Sequence, residues 1–475
     1  MPVLVDLQPK RVFEIFEQLA AIPHGSGNTD AIGDFCIAFA QTAGLAVLRD
    51  AVGNVIIKKT GSVGREGEPP VILQAHLDMV CEKSADKEFD FLTQGIPLVT
   101  DGQKVWADGT TLGADNGIGL AMILAILEDT TLSHPPVEAV LTVDEETGLE
   151  GAAALDFSLL SGRRMLNLDS EDEGIFTAGC AGGIRLEAVF DLQQVENTMP
   201  AFCLHIKGLM GGHSGIDINK GRANANRELA NLLAALSQQG TVGVSHFSGG
   251  TVDNAIAAEA ICTVATDLPQ TTIETHLAQW QQTLIAKGES SAQVLWEPAT
   301  AATVWEKEQA EKILDFLTTS PNGVQAMCKD LPDLVETSLN MGVVRCNQEQ
   351  VSAVFALRSS VQKQKEDLLA RLQAQAQQQG ASTVVSGAYP GWEYRADSAL
   401  QDKMKQVYRE MYQKDPIVDV IHAGLECGLF CEKCAELDAI SLGPDMKNVH
   451  TPDEWVSVAS VQRVYEYLVQ LLANL

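Results

Sequence analysis

The chain has 475 residues, 45% hydrophobic and 20% charged, the balance of a folded protein rather than a disordered one, and its length exceeds one ordinary core, so two domains are expected. Its 33 basic against 63 acidic residues give a formal charge of -30, which repels nucleic-acid phosphates and anionic lipid and attracts cations; nucleic acid and membrane partners are excluded on that ground. The longest apolar run, Ile118–Leu127, falls far short of the about 20 residues a bilayer requires. No basic-then-apolar leader opens the chain, and the ten cysteines lack the dense spacing of a disulfide scaffold, so a cytoplasmic protein with reduced thiols is expected.

In chain order, the periodicity predicts helices at Arg11–Ala21 and Asp30–Gly44, strands at Asn54–Lys58 and Val71–Ala75, an apolar helix at Gly117–Asp129, and strands at Val137–Val143 and Met165–Leu168. Strand and helix alternating at these lengths favour an α/β fold with a mostly parallel sheet flanked by helices and ligands at strand carboxyl ends. After Gly179-Cys-Ala-Gly-Gly183 the texture changes: strand Phe202–Lys207, helix Ala223–Ser237, strand Thr263–Asp267 and helix Thr272–Ala286. From about Trp305 that layout partly repeats, with a helix to Thr319, strands at Met341–Arg345 and Val351–Leu357, and the helix Gln362–Gln378. Past the break at Tyr389-Pro-Gly-Trp392 come helix Ala399–Gln413, strand Ile417–Ile421, helix Leu425–Glu436, strand Ala439–Leu442 and a terminal helix Val456–Leu475. His450 lies in this last piece; if it shares a site with Asp169, residues 1–182 and 391–475 form one discontinuous catalytic domain, with 183–390 inserted as an α+β domain whose layout looks like two related halves. The pair Cys431 and Cys434 has no matching pair elsewhere and reads as two small residues on one helix face rather than a zinc or redox site.

Acidic and histidine residues recur where the apolar runs stop. His76 and Asp78 follow Val71–Ala75 and, being two apart, share a face; Asp115 precedes the apolar helix, where an N-cap is its plain alternative. Asp144-Glu145-Glu146 ends Val137–Val143, Asp169 ends Met165–Leu168, and His450 lies near the carboxyl terminus. Carboxylates crowded at buried strand ends repel one another unless a cation neutralises them. The adjacent Glu145 and Glu146 diverge, which suits two jobs: one ligates a metal and the other takes a proton from water.

The ordered set His76-Leu-Asp78, Gly113-Ala-Asp115-Asn-Gly117, Asp144-Glu-Glu-Thr-Gly148, Asp169 and His450 resembles the M20 family of two-zinc metallopeptidases over nearly the whole chain. Gly211-Gly-His213-Ser-Gly215, Asn254, Arg358 and His422-Ala-Gly-Leu-Glu426 make it most similar to the aminoacyl-histidine dipeptidases of that family. The resemblance implies two Zn²⁺ ions, replaceable by Mn²⁺ or Co²⁺: Asp115 bridging them, His76 and Asp169 completing one site, Glu146 and His450 the other. It implies Glu145 as general base, Asp78 as the support of His76, and a cis peptide at Asp115-Asn116. His213 would reach the oxyanion, Arg358 grip the substrate carboxylate and Asn254 add a polar contact, in a lid twice the usual length whose second half could stand in for a partner subunit; a homodimer stays open. The activity implied is hydrolysis of unblocked small peptides, dipeptides including Xaa-His such as carnosine. The alternatives are an M20 deacylase of N-acyl amino acids, a tripeptidase, or an inactive peptide-binding regulatory protein. His422 and Glu426 receive no role.

Overall fold

The computed structural model describes residues 2–329, 331 and 334–475. The chain divides into two compact units, one made of Met1–Gly179, Tyr394–Val420 and Leu425–Leu475, the other of Cys180–Glu393 and Ile421–Gly424.

In the first unit an eight-stranded sheet runs in the order Ala46–Arg49, Val55–Lys59, Val137–Thr142, Val71–His76, Arg164–Asn167, Asp438–Ser441, Ile175–Cys180, Ile417–Ile421. The four strands from Val137–Thr142 to Asp438–Ser441 pair in parallel, while Ala46–Arg49 and Val55–Lys59 add antiparallel margins. Val71–His76 and Val137–Thr142 are buried at every position, as strands covered on both faces must be. The helix Ala114–Glu128 is apolar all round and, apart from Asp115 at its start, buried almost throughout. Its first turn is not helical: Asp115 and Asn116 lie at φ/ψ of -82/104 and -110/25, and the peptide between them is cis. Regular helix therefore starts at Gly117, where a Cβ would come within 3.1 Å of the Phe16 ring of the helix Lys10–Ala20.

The second unit is built on one continuous antiparallel sheet in the order Gln293–Ala299, Ala201–Lys207, Ala260–Thr266, Val242–Gly249, Val335–Cys346, Gln350–Ser359, Gly182–Asp191, Ser382–Tyr389, with Gly323–Met327 pairing aside. Two β-α-β-β-α-β runs meet where Val242–Gly249 pairs with Val335–Cys346. In each run the sheet order is fourth, first, third and second strand. One run is continuous from Ala201 to Ala299; the other opens with Gly182–Asp191, is interrupted by the first, and resumes at the helix Lys307–Thr319. Helices Ala225–Ser237, Lys307–Thr319 and Gln362–Gln378 supply Leu229, Leu233, Phe316, Leu317, Leu368 and Leu372 to a core that includes Phe247 and Phe355.

Some local expectations are corrected. The segment Gly179–Gly183, after which the sequence texture changes, joins two strands, Ile175–Cys180 and the ten-residue Gly182–Asp191. Gly182 and Gly183 are glycines because Cβ atoms there would meet Gly391 and the Tyr389 ring at 2.4 Å. The helix expected at Leu425–Glu436 ends at Lys433, so Cys434 lies past it and the two cysteines do not share a helix face. The terminal helix begins at Val458, capped by Ser457, because Trp455–Ser457 is a short strand.

Candidate active site

Three parallel strands deliver the acidic and imidazole groups of the first unit to one place. His76 is the last residue of Val71–His76, Glu145 and Glu146 follow Val137–Thr142, and Asp169 follows Arg164–Asn167. Asp115 enters from the non-helical turn at Ala114–Asn116, and His450 from a loop where Asn448 and His450 both have left-handed backbone.

Asp115 sits between the two imidazoles: its Oδ1 is 3.1 Å from His76 Nε2 and its Oδ2 is 3.1 Å from His450 Nε2. On one side Asp169 Oδ1 lies 3.2 Å from His76 Nε2; on the other, Glu146 Oε1 lies 3.0 Å from His450 Nε2. Asp115 is therefore not a helix cap; both its oxygens face imidazoles. Ligand atoms of His76, Asp115 and Glu146 all lie within 4.8 Å of one another, a set that can hold a metal ion. The His76 ring is turned for this: its Nδ1 donates to the Asp78 carbonyl oxygen at 2.9 Å, which leaves Nε2 as the nitrogen that faces the carboxylates.

Asp78 is a brace in two directions. Its carboxylate stands 3.5 Å from His76 Nδ1 and accepts from Ser26 Oγ (2.8 Å) and from the backbone N–H groups of Glu145 (3.0 Å) and Glu146 (3.2 Å). Among the described residues no side chain hydrogen-bonds to the Glu145 carboxylate, whereas Glu146 is engaged by His450.

No lysine or arginine hydrogen-bonds to any of these carboxylates among the described residues, and the electrostatics record the deficit. Burial, followed by Asp169, Glu426 and Glu146, pushes the Glu145 carboxyl well above its ordinary range against the pull of His76. Burial likewise raises Asp169 and Glu146, while the hydrogen bonds to Asp115 and Glu146 lift the His450 imidazole to about 11. Asp115, in spite of burial, is held well below its usual value by His450 and His76. A cluster that traps protons to balance its own charge is one that a divalent cation would stabilise.

In the second unit, His213 lies on the short strand Gly212–His213, paired with Ala255–Ile256, so Asn254 is alongside it: the Asn254 carbonyl accepts from Ser214 N at 2.8 Å. His213 Nδ1 accepts from the N–H groups of Gly215 and Ile216, each at 3.2 Å, which places its proton on Nε2. Burial first, then Arg358, lowers the His213 pKa, so the ring is neutral. Arg358, on Gln350–Ser359, donates from Nη1 to Tyr389 Oη at 3.0 Å and lines a cavity of about 190 Å³ with Asp253, Asn254 and Tyr389. His422 is held by Ser338 Oγ at 2.7 Å, and burial with Arg358 lowers it to about 4.

The sequence matches the description "Peptidase family M20/M25/M40" over residues 72–474. The chain belongs to that family. It is 37% identical to the cytosol non-specific dipeptidase of Escherichia coli, over 100% of this chain and 99% of that one. The crystal structure of the aminoacylhistidine dipeptidase from Vibrio alginolyticus superposes with a TM-score of 0.93 at 39% identity, covering 99% of this chain and 97% of that one. The aminopeptidase PepT of Bacillus cereus, at 16% identity and a TM-score of 0.59 over 98% and 99% of the chains, shares the fold.

Two residues of this M20 peptidase escaped the sequence reading. Glu454 is buried, and its carboxylate accepts from the backbone N–H groups of Leu112 (2.7 Å), Gly113 (3.1 Å), Ala114 (2.8 Å) and Asp115 (3.4 Å), fixing the turn that presents Asp115. Burial raises it to about 7. Its signal was faint: an acidic residue four after His450, hundreds of residues from the turn it holds. Asp144, left without a role by the sequence, adopts left-handed backbone (φ 52) and accepts from Gly27 N at 2.6 Å, pinning the start of the acidic turn.

Proposed function

We propose that the chain is a cytosolic metallo-dipeptidase that hydrolyses unblocked dipeptides, Xaa-His among them, with two Zn²⁺ ions per subunit. The observation that carries the reading is the pair of carboxylate–imidazole groups sharing Asp115, His76 with Asp169 and His450 with Glu146. The relatives named as a cytosol non-specific dipeptidase and an aminoacylhistidine dipeptidase support the compartment and the substrate class.

The donor set fits the ions: carboxylates and imidazoles suit Zn²⁺ and discriminate weakly against Mn²⁺ or Co²⁺. Asp115 would bridge, His76 and Asp169 would hold one ion, Glu146 and His450 the other. When bound, a two-metal centre polarises the scissile carbonyl and brings water towards deprotonation at neutral pH. Glu145, whose carboxylate has no side-chain hydrogen-bond partner among the described residues, takes the proton of the attacking water and returns it to the departing amine. Asp78 keeps that carboxylate aimed by holding the N–H groups of Glu145 and Glu146. His213 offers its Nε2–H to the developing oxyanion, since its Nδ1 is already occupied as an acceptor. Arg358 pairs with the substrate's free carboxylate and Asn254 adds a polar contact.

The test is a substrate panel on the purified protein before and after metal removal. β-Alanyl-histidine and other dipeptides should be turned over, and chelation should abolish the activity until Zn²⁺, Mn²⁺ or Co²⁺ is restored. Turnover of N-acetyl-ornithine alone, or of a tripeptide alone, overturns the dipeptidase reading. A protein that binds no divalent ion and whose activity ignores chelators overturns the two-metal reading.

A further inference from the structure

Beneath the ligands the first unit buries polar groups where its sheet would ordinarily bury apolar ones. Gln74, Thr142, Asn167 and Glu426 are each 0% exposed. Asn167 Nδ2 donates to Gln74 Oε1 at 2.5 Å, Gln74 Nε2 donates to Glu426 Oε2 at 2.6 Å, and Thr142 Oγ1 donates to the same oxygen at 2.9 Å. The three donors' residues stand on three adjacent parallel strands, Gln74 directly opposite Asn167 and Thr142 opposite His76. Because side chains two apart on a strand share a face, Gln74 lies one layer below His76, and Asn167 one layer below Asp169. Glu426 opens the helix Glu426–Lys433 and is where the network converges.

Burying such groups costs free energy that leucine or valine would not, and a connected polar network returns it as fixed geometry. No residue of the network touches the proposed reaction. Burial raises the Glu426 carboxyl to about 8, Asp169 adding to this against His76, Thr142 and Gln74, so the group is mostly neutral at pH 7 and acts as a hydrogen-bond acceptor rather than a charge.

We propose that Glu426 is a positioning residue for the metal centre: by tying Gln74 and Thr142 directly, and Asn167 through Gln74, it sets the spacing of the three strand ends that carry His76, Glu146 and Asp169. The inference rests on the two-metal reading and concerns affinity for the ions. Residues that orient ligands without touching metal typically change metal affinity roughly 10–100-fold when removed.

The experiment is calorimetric titration of Zn²⁺ into the chelator-stripped full-length protein, with the melting temperature of each metal-free variant alongside. Glu426→Gln keeps an acceptor oxygen for both donors and should bind Zn²⁺ like the wild type. Glu426→Leu should bind roughly 10–100-fold more weakly, in the range such orienting residues show, and the milder Thr142→Val should weaken binding in the same sense should the leucine variant fail to fold. Leu472→Ala, a core truncation in the terminal helix Val458–Asn474, controls for stability: it should lower the melting temperature without moving affinity. Wild-type affinity in Glu426→Leu and Thr142→Val, or equal losses in Leu472→Ala at matched melting temperature, overturns the inference while leaving the two-metal reading intact. A wild type that takes up no Zn²⁺ overturns the two-metal reading itself.

Discussion

The strand ends of the first unit and the His213–Arg358 region of the second solve opposite electrostatic problems. In the first, Asp115, Glu145, Glu146 and Asp169 face one another and two imidazoles, and the cluster balances itself by raising the pKa values of Glu145, Glu146, Asp169 and His450 while Asp115 stays charged. In the second, the chain itself supplies neutral partners: two backbone N–H groups at His213 Nδ1, Ser338 at His422 Nε2 and Tyr389 at Arg358 Nη1. One cluster carries an excess of carboxylates that a cation would balance; the other sets two neutral imidazoles beside Arg358, and since Arg185 on the same cavity is paired with Asp253, Arg358 is the charge that suits an anionic ligand group. Substitutions in the first should therefore act on chemistry and metal, and those in the second on substrate binding.

The largest effect that sharpens this contrast is expected for Glu145→Gln. The amide cannot accept a proton, so kcat should fall by about 10²–10⁴-fold, the usual scale of general acid–base catalysis. Metal content by elemental analysis should stay at the wild-type level, because the proposed ligand is Glu146, which His450 engages. Loss of metal with kcat would reverse the assignments of the two neighbouring glutamates.

Three of the proposed ligands were legible because His76, Glu146 and Asp169 follow apolar strands, where a charged residue has few bland explanations; Asp115, ahead of an apolar helix, and His450, in a loop, stood out only through the family resemblance. The parallel centre of the first sheet was legible for the same reason: Val71–His76 and Val137–Thr142 are nearly continuous apolar stretches. What the sequence hid acts through tertiary contact alone. Glu454 grips a turn more than three hundred residues away, and Ser26 and Gly27 hold Asp78 and Asp144 from a loop with no motif. The strand Ser382–Tyr389 was missed because its side chains are mostly exposed and follow no alternation, so Tyr389 read as part of a Pro/Gly break.

An intermediate effect is expected in the second unit. Arg358→Ala should raise KM for dipeptides with a free carboxyl terminus by roughly 10–100-fold, the scale of a charge-assisted hydrogen bond, and leave kcat/KM for the corresponding dipeptide amides nearly unchanged. Steady-state kinetics on the two substrate series decides it. Equal losses on both series would show that Arg358 supports the fold of the cavity instead of reading the carboxylate.

The smallest effect tests how Arg358 is aimed. Tyr389 is fixed independently of its hydroxyl: its ring packs where Gly183 and Gly424 leave room, Cβ atoms there meeting it at 2.4 and 2.9 Å, and the buried Lys365 donates to its carbonyl oxygen. Tyr389→Phe should therefore keep the ring in place and delete only the hydrogen bond to Arg358 Nη1. Such a bond is worth about 1 kcal/mol net, or ~5-fold in KM for free dipeptides, with kcat unchanged and dipeptide amides unaffected. A fall in kcat on both series with no change in discrimination would place Tyr389 in the chemistry and erase the division of labour between the two units.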